Sequence, residues 1–126
     1  MRTESRVFAF KIIFSTLFES DAEEAKLNFG ENLSFSEQDK DFANNILTEF
    51  ISNKTVLDAE LETVLENYEL GRIYKVDLAL IYLGMTEIKY IKTPKPVVIN
   101  EVLEIAKKFS TENSSKFING VLAKIE

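Results

Sequence analysis

Apolar residues recur along this chain at helical spacing. In the first segment Val7, Phe10, Phe14, Leu17 and Phe18 fall three or four residues apart, and Phe8, Ile12 and Ile13 widen the arc. The spacing predicts a helix from residue 3 to about residue 20, buried on more than one side. Residues 21–29 read as a short helix: Asp21 suits a cap, Glu23 and Glu24 favour the positive end of the dipole, and Gly30 ends it. After a polar loop, Ser36-Glu37-Gln38-Asp39 is a start signal close to a capping box, with aspartate in the usual glutamate or glutamine position. Phe42, Ile46 and Phe50 follow, then Leu57, Leu61, Val64, Leu65 and Tyr68. Between the two sets, Ser52-Asn53 leaves one long helix and two antiparallel helices both open.

Gly71 precedes the most apolar segment. Ile73, Val76, Leu80 and Leu83 fall on one face, and Leu78, Ile81, Met85 and Ile88 on another, which predicts a central helix. Gly84 inside it costs about 1 kcal/mol relative to alanine. That predicts the close approach of a neighbouring helix, with a kink as the other reading. Thr93-Pro94-Lys95-Pro96 reads as an extended loop with Pro96 in the first turn of the next helix. Ile99, Val102, Leu103, Ala106 and Phe109 give that helix its buried stripe. Residues 110–115 read as a polar turn, and Phe117, Ile118, Val121, Leu122 and Ile125 mark the last helix. Asn119-Gly120 is odd inside a helix by propensity. It suggests a helix backbone lying against Gly120 and a buried hydrogen bond for Asn119, to Asn100 or a loop. The fold class that follows is all-α: a compact bundle of six or seven helices in a single domain spanning 1–126. Only 4 glycines and 2 prolines agree with this, since an all-β chain needs a turn every ~8–12 residues.

Composition narrows the chemistry. The chain has no cysteine and no histidine, which removes disulfides, thiolate metal sites and the usual general bases. No catalytic residue, metal ligand or cofactor is assigned, and the chain reads as a non-enzyme. Arg2 and Arg6 before the apolar run 7–18 resemble a signal peptide, but Lys11 interrupts the run and no small-residue cleavage pattern follows. No membrane span is expected, and a cytoplasmic location is. Net charge is −6, unevenly spread: residues 1–11 carry +2, residues 12–75 carry −9 and residues 88–125 carry +4. Basic ends on an acidic body can form a local phosphate-attracting face, because screening confines each charge to about 10 Å.

The C-terminal half carries a specific pattern: Tyr68 four residues before Arg72, Val76-Asp77, an apolar run ending in Glu87, Pro94, then Val97-Val98-Ile99-Asn100-Glu101, Ala106-Lys107 and Ser115-Lys116-Phe117-Ile118-Asn119-Gly120-Val121-Leu122. This order resembles the NusB family, most closely over residues 66–126 and more weakly in the first helix at Arg6, Ala9 and Phe14. The resemblance implies two small helical subbundles. It implies a role in transcription antitermination with the ribosomal protein NusE, on single-stranded boxA-type RNA of ribosomal-RNA transcripts, within the antitermination complex on RNA polymerase. It also allows a homodimer.

Carried over residue by residue, RNA contact falls to Arg2 and Arg6, with Lys11 added on charge grounds, and to Asn113, Ser115, Lys116 and Phe117 near the last helix. The cations would hold phosphates, Phe117 would stack on a base, and Asn113 and Ser115 would read base edges. Phe14 and Glu87 are the implied protein-partner residues, with Glu87 facing a partner arginine. Thr3 and Glu4 stand where the family is commonly basic, which thins the arginine cluster. That thinning favours a second reading, a protein-only helical adaptor with weak or no RNA binding. A third reading, the helical domain of an RNA cytosine methyltransferase, lacks the cysteines and the α/β unit its chemistry requires.

Overall fold

The computed structural model describes residues 2–18, 21, 35–66 and 69–126. Among them lie five α-helices: α1 (Arg2–Thr16), α2 (Glu37–Val64), α3 (Lys75–Thr86), α4 (Lys95–Phe109) and α5 (Glu112–Ala123). A 3-10 turn, Leu70–Arg72, precedes α3, and a π-helical segment, Glu87–Ile91, continues it. The described residues contain no strand. The all-helical expectation holds, and the described residues contain five of the six or seven helices expected. The short helix expected at 21–29 lies outside the described residues apart from Asp21.

The segment with two open readings is one continuous helix. Ser36 caps it by accepting a hydrogen bond from the Asp39 amide at 3.1 Å. Asn53 does not break it: its side-chain amide donates to the Glu49 carbonyl at 2.8 Å and to the Glu49 carboxylate at 3.0 Å, one turn back. Leu57 and Leu61 then carry the buried stripe onward.

Helix α3 is the axis of the fold, as its all-round apolar pattern predicts. Residues 77–87 are all buried, and α3 packs against each of the other four helices. Helices α1 and α2 pair on one side of it, α4 and α5 on the other. Fully burying side chains such as Leu80, Ile81 and Leu83 contributes about 1.5–3 kcal/mol each. The buried apolar residues form one cluster joining both pairs. Helices α4 and α5 form an antiparallel hairpin closed at its open end by Lys95, whose Nζ donates to the Ala123 carbonyl at 3.2 Å and to that of Ile125.

Gly84 is where α5 meets α3. A Cβ at this position would stand 2.8 and 2.9 Å from the two δ-carbons of the buried Leu122. Close approach, not a kink, is therefore its role. Gly84→Val should lower stability by about 1–3 kcal/mol through overpacking, despite a better helix former replacing glycine. Urea unfolding checks this: a midpoint equal to the parent's would mean that Leu122 yields freely.

Three sequence expectations change. Phe109 is 40% exposed, because it is the last residue of α4 and projects past the core. Asn119 is exposed, so it makes no buried hydrogen bond to Asn100, itself exposed. Gly120 has no neighbour within 4 Å of where its Cβ would be, so no helix backbone lies on it.

Candidate functional site

Arg6 and Glu87 lie 81 positions apart in sequence and are held together inside the fold. Arg6 Nε donates to both Glu87 carboxylate oxygens, at 3.1 and 2.9 Å, and Nη2 adds a contact at 2.5 Å. Arg6 is 4% exposed and Glu87 fully buried. Glu101 of α4 stands 3.9 Å from Arg6 Nη1, and the Phe42 ring of α2 lies beneath the guanidinium at 5.2 Å. Burial works against the charge on Arg6, but the Glu87 bonds and the carboxylates nearby outweigh it and hold its pKa above the usual guanidinium value.

This geometry corrects the picture of two outward-facing charges. Arg6 sits on the inner side of α1 beside the fully buried Ser5 and Ala9. Glu87 closes the apolar face of α3. Each neutralises the other, so neither faces solvent to meet a phosphate or a partner arginine. Their contribution is to tie α1 to the end of α3 and, through Glu101, to α4.

The first turn of α5 is built around a second buried carboxylate. Asp77, in the first turn of α3, accepts hydrogen bonds from the hydroxyls of Ser110 at 2.5 Å and Ser114 at 2.9 Å. Ser114 is itself 3% exposed and reaches back to accept from the Thr111 amide at 3.3 Å. The central helix thus fixes both Ser110, which closes α4, and the third residue of α5. As a result α5 starts at Glu112, and Asn113, Ser115, Lys116 and Phe117 stand on its opening turns, not in a loop. Asn113 and Lys116 are exposed; Ser115 and Phe117 are half-buried. Asn113 and Phe117 share a depression of about 330 Å³ with Arg72, Tyr74, Asp77 and Thr111.

The remaining candidates are spread along α1. Arg2 is exposed, its guanidinium over the Phe42 ring at 4.5 Å. Lys11 lies 5.8 Å over the Phe109 ring, which also meets Phe10 at 5.4 Å. Lys11, Lys108, Phe8 and Phe109 line a groove of about 280 Å³ between α1 and the end of α4. Lys11 therefore reaches the residues that lead into Ser110, whereas Arg2 sits at the far end of α1. Phe14 is half-buried and stacks edge-on with Phe18 at 5.0 Å; Phe18 is 54% exposed.

Sequence reading did not single out Lys108 or Phe109 for this surface, nor Asp77 as its anchor. Phe109 fitted the buried stripe of α4, and only its position at the very end of the helix signals exposure. Asp77 is a lone carboxylate among apolar neighbours, and that is itself a signal of a bonded, structural acid.

Comparison with known proteins adds four matches. The model of the NusB family matches residues 3–126. A transcription antitermination protein NusB of Listeria monocytogenes serotype 4a (strain HCC23) is 42% identical over 126 residues, covering 98% of this chain and 94% of the relative. Among solved structures, T. maritima NusB is similar with a TM-score of 0.88 at 32% identity, covering 99% of this chain and 89% of that one. A chain from a crystal structure of the antitermination factors NusB and NusE in complex with dsRNA shares the fold, with a TM-score of 0.87 at 21% identity, covering 98% of this chain and 94% of that one.

Proposed function

The chain belongs to the NusB family, and from that premise we propose that it binds boxA-type RNA of ribosomal-RNA transcripts together with ribosomal protein NusE, as part of the antitermination complex on RNA polymerase in the cytoplasm. It acts by binding, not by catalysis. No helix among the described residues is long and apolar enough to cross a membrane.

The observation that carries the reading is the anchored opening of α5. Asp77 and its two serine hydroxyls hold Asn113, Lys116 and Phe117 at the surface in a fixed arrangement. Lys116 supplies charge for a phosphate, Phe117 a ring face for a base, Asn113 and Ser115 polar atoms for base edges. Lys11 and Arg2 extend the basic character along α1. Arg6 serves the RNA surface indirectly, by holding α1 in place through Glu87. The aromatic edge formed by Phe14 of α1 and Phe18 just beyond its end is the part that suits NusE.

The test mixes the purified chain with NusE and a boxA-type RNA. RNA binding should tighten when NusE is present and weaken steeply with salt, and Lys116→Gln should flatten the slope of log K against log salt by about 0.7. The internal pairing of Arg6 leaves the N-terminus with less free positive charge, which favours the protein-only adaptor as the second reading. NusE binding with no RNA affinity at any salt would establish that reading instead.

A further inference from the structure

The described residues include three glycines. Gly84 makes room for Leu122. Gly71 and Gly120 would each carry a Cβ into open space, but Gly71 lies in a short 3-10 turn. Gly120 differs in standing inside an α-helix, where glycine is costly. It stands in the third turn of α5, is exposed, has no positive φ, and would carry a Cβ into open space. Alanine would fit there and favour the helix. A bare backbone at this point leaves room for another molecule's chain to pass close to the helix surface.

The surroundings indicate which molecule. Gly120 floors a cleft of about 250 Å³ between the end of α2 and α5. Val64, Leu65 and Glu66 form one wall; Lys116, Phe117 and Lys124 belong to the other. Asn113 precedes Lys116 and Phe117 by three and four residues, Gly120 follows them by four and three, and Lys124 follows Gly120 by four, so they share one side of α5. Lys116 and Lys124 are both exposed, and eight residues place them about 12 Å apart along the axis. A cation at each end, with an aromatic ring and bare backbone between, complements a polyanion with unpaired bases. Among the described lining residues, Glu66 is the one acidic side chain, on the opposite wall.

We propose that single-stranded RNA engaged at the first turn of α5 continues along this face to Lys124, its sugar–phosphate backbone crossing the helix at Gly120. This rests on the RNA-binding reading above. It extends the contact by two helical turns and gives the glycine its purpose.

The experiment uses the full chain with NusE and a boxA-type RNA. Gly120→Ala should leave the melting temperature equal or raise it by about 3–5 °C, yet weaken RNA binding about tenfold. Lys124→Gln should lower the salt slope by about 0.7. Neither variant should change NusE affinity measured without RNA. RNA binding equal to the parent's in both variants overturns the proposal. So does a loss confined to NusE affinity, which would make the cleft a protein site. If the parent chain itself shows no RNA binding with NusE, the RNA-binding reading fails and this proposal with it.

Discussion

Glu87→Ala should destabilise the fold by about 3–5 kcal/mol, a larger loss than any other single change at the surfaces described. The substitution removes the carboxylate that holds the guanidinium. It strands the Arg6 guanidinium, 4% exposed, with Glu101 at 3.9 Å as its nearest remaining carboxylate. A buried charge without its partner is far costlier than the pair is worth. For a chain of this size the loss corresponds to a melting temperature lower by about 10–20 °C. The double variant Arg6→Met, Glu87→Leu removes both charges and keeps the volume filled, so most of the stability should return. Calorimetry on the two single variants and the double one closes the cycle. A single variant within 1 kcal/mol of the parent would mean that water reaches Arg6 and that the pair does not join α1 to α3.

That pair also marks where sequence reading stops. Helix α3 was legible because its apolar residues leave no polar face, and this dictates a central place whatever surrounds it. Gly84 was legible for a related reason: glycine in a packed helix is costly unless something comes close. The Ser36 cap was legible because capping is local. Arg6 and Glu87 were not, since a partner 81 residues away leaves no local pattern. The hint available was an arginine inside the apolar arc of α1 and a glutamate ending the apolar run of α3, two isolated charges of opposite sign. Asn119 and Gly120 misled because a propensity argument cannot tell a neighbour within the fold from one outside it. The continuity of α2 through Ser52-Asn53 turned on Asn53 bonding back to Glu49, a choice between local alternatives that propensity leaves balanced.

Asp77→Ala should separate the binding surface from the core. Ser110 and Ser114 would lose a charged acceptor in a site where Ser114 is 3% exposed. Hydrogen bonds to a charged group contribute about 1.5–3 kcal/mol each, and hydroxyls can partly re-pair with one another, so a total loss of about 2–4 kcal/mol is expected. Ser110 and Ser114 already lie 2.8 Å apart. The loss should also be local. Amide exchange at residues 113–117 should quicken more than exchange in α3, because the opening turn of α5 loses its tie to the central helix. RNA affinity should fall with it, since Lys116 and Phe117 would then have to be ordered at the moment of binding. NusE affinity measured without RNA should hold, because Phe14 on α1 and Phe18 just beyond it belong to another part of the chain. Asp77→Asn, which keeps the shape and one acceptor, should recover much of the exchange protection. Exchange and RNA affinity both unchanged in Asp77→Ala would mean that the Thr111 end of α5 is stiff without its buried acid, and the route from the apolar centre to the RNA surface would have to be sought elsewhere.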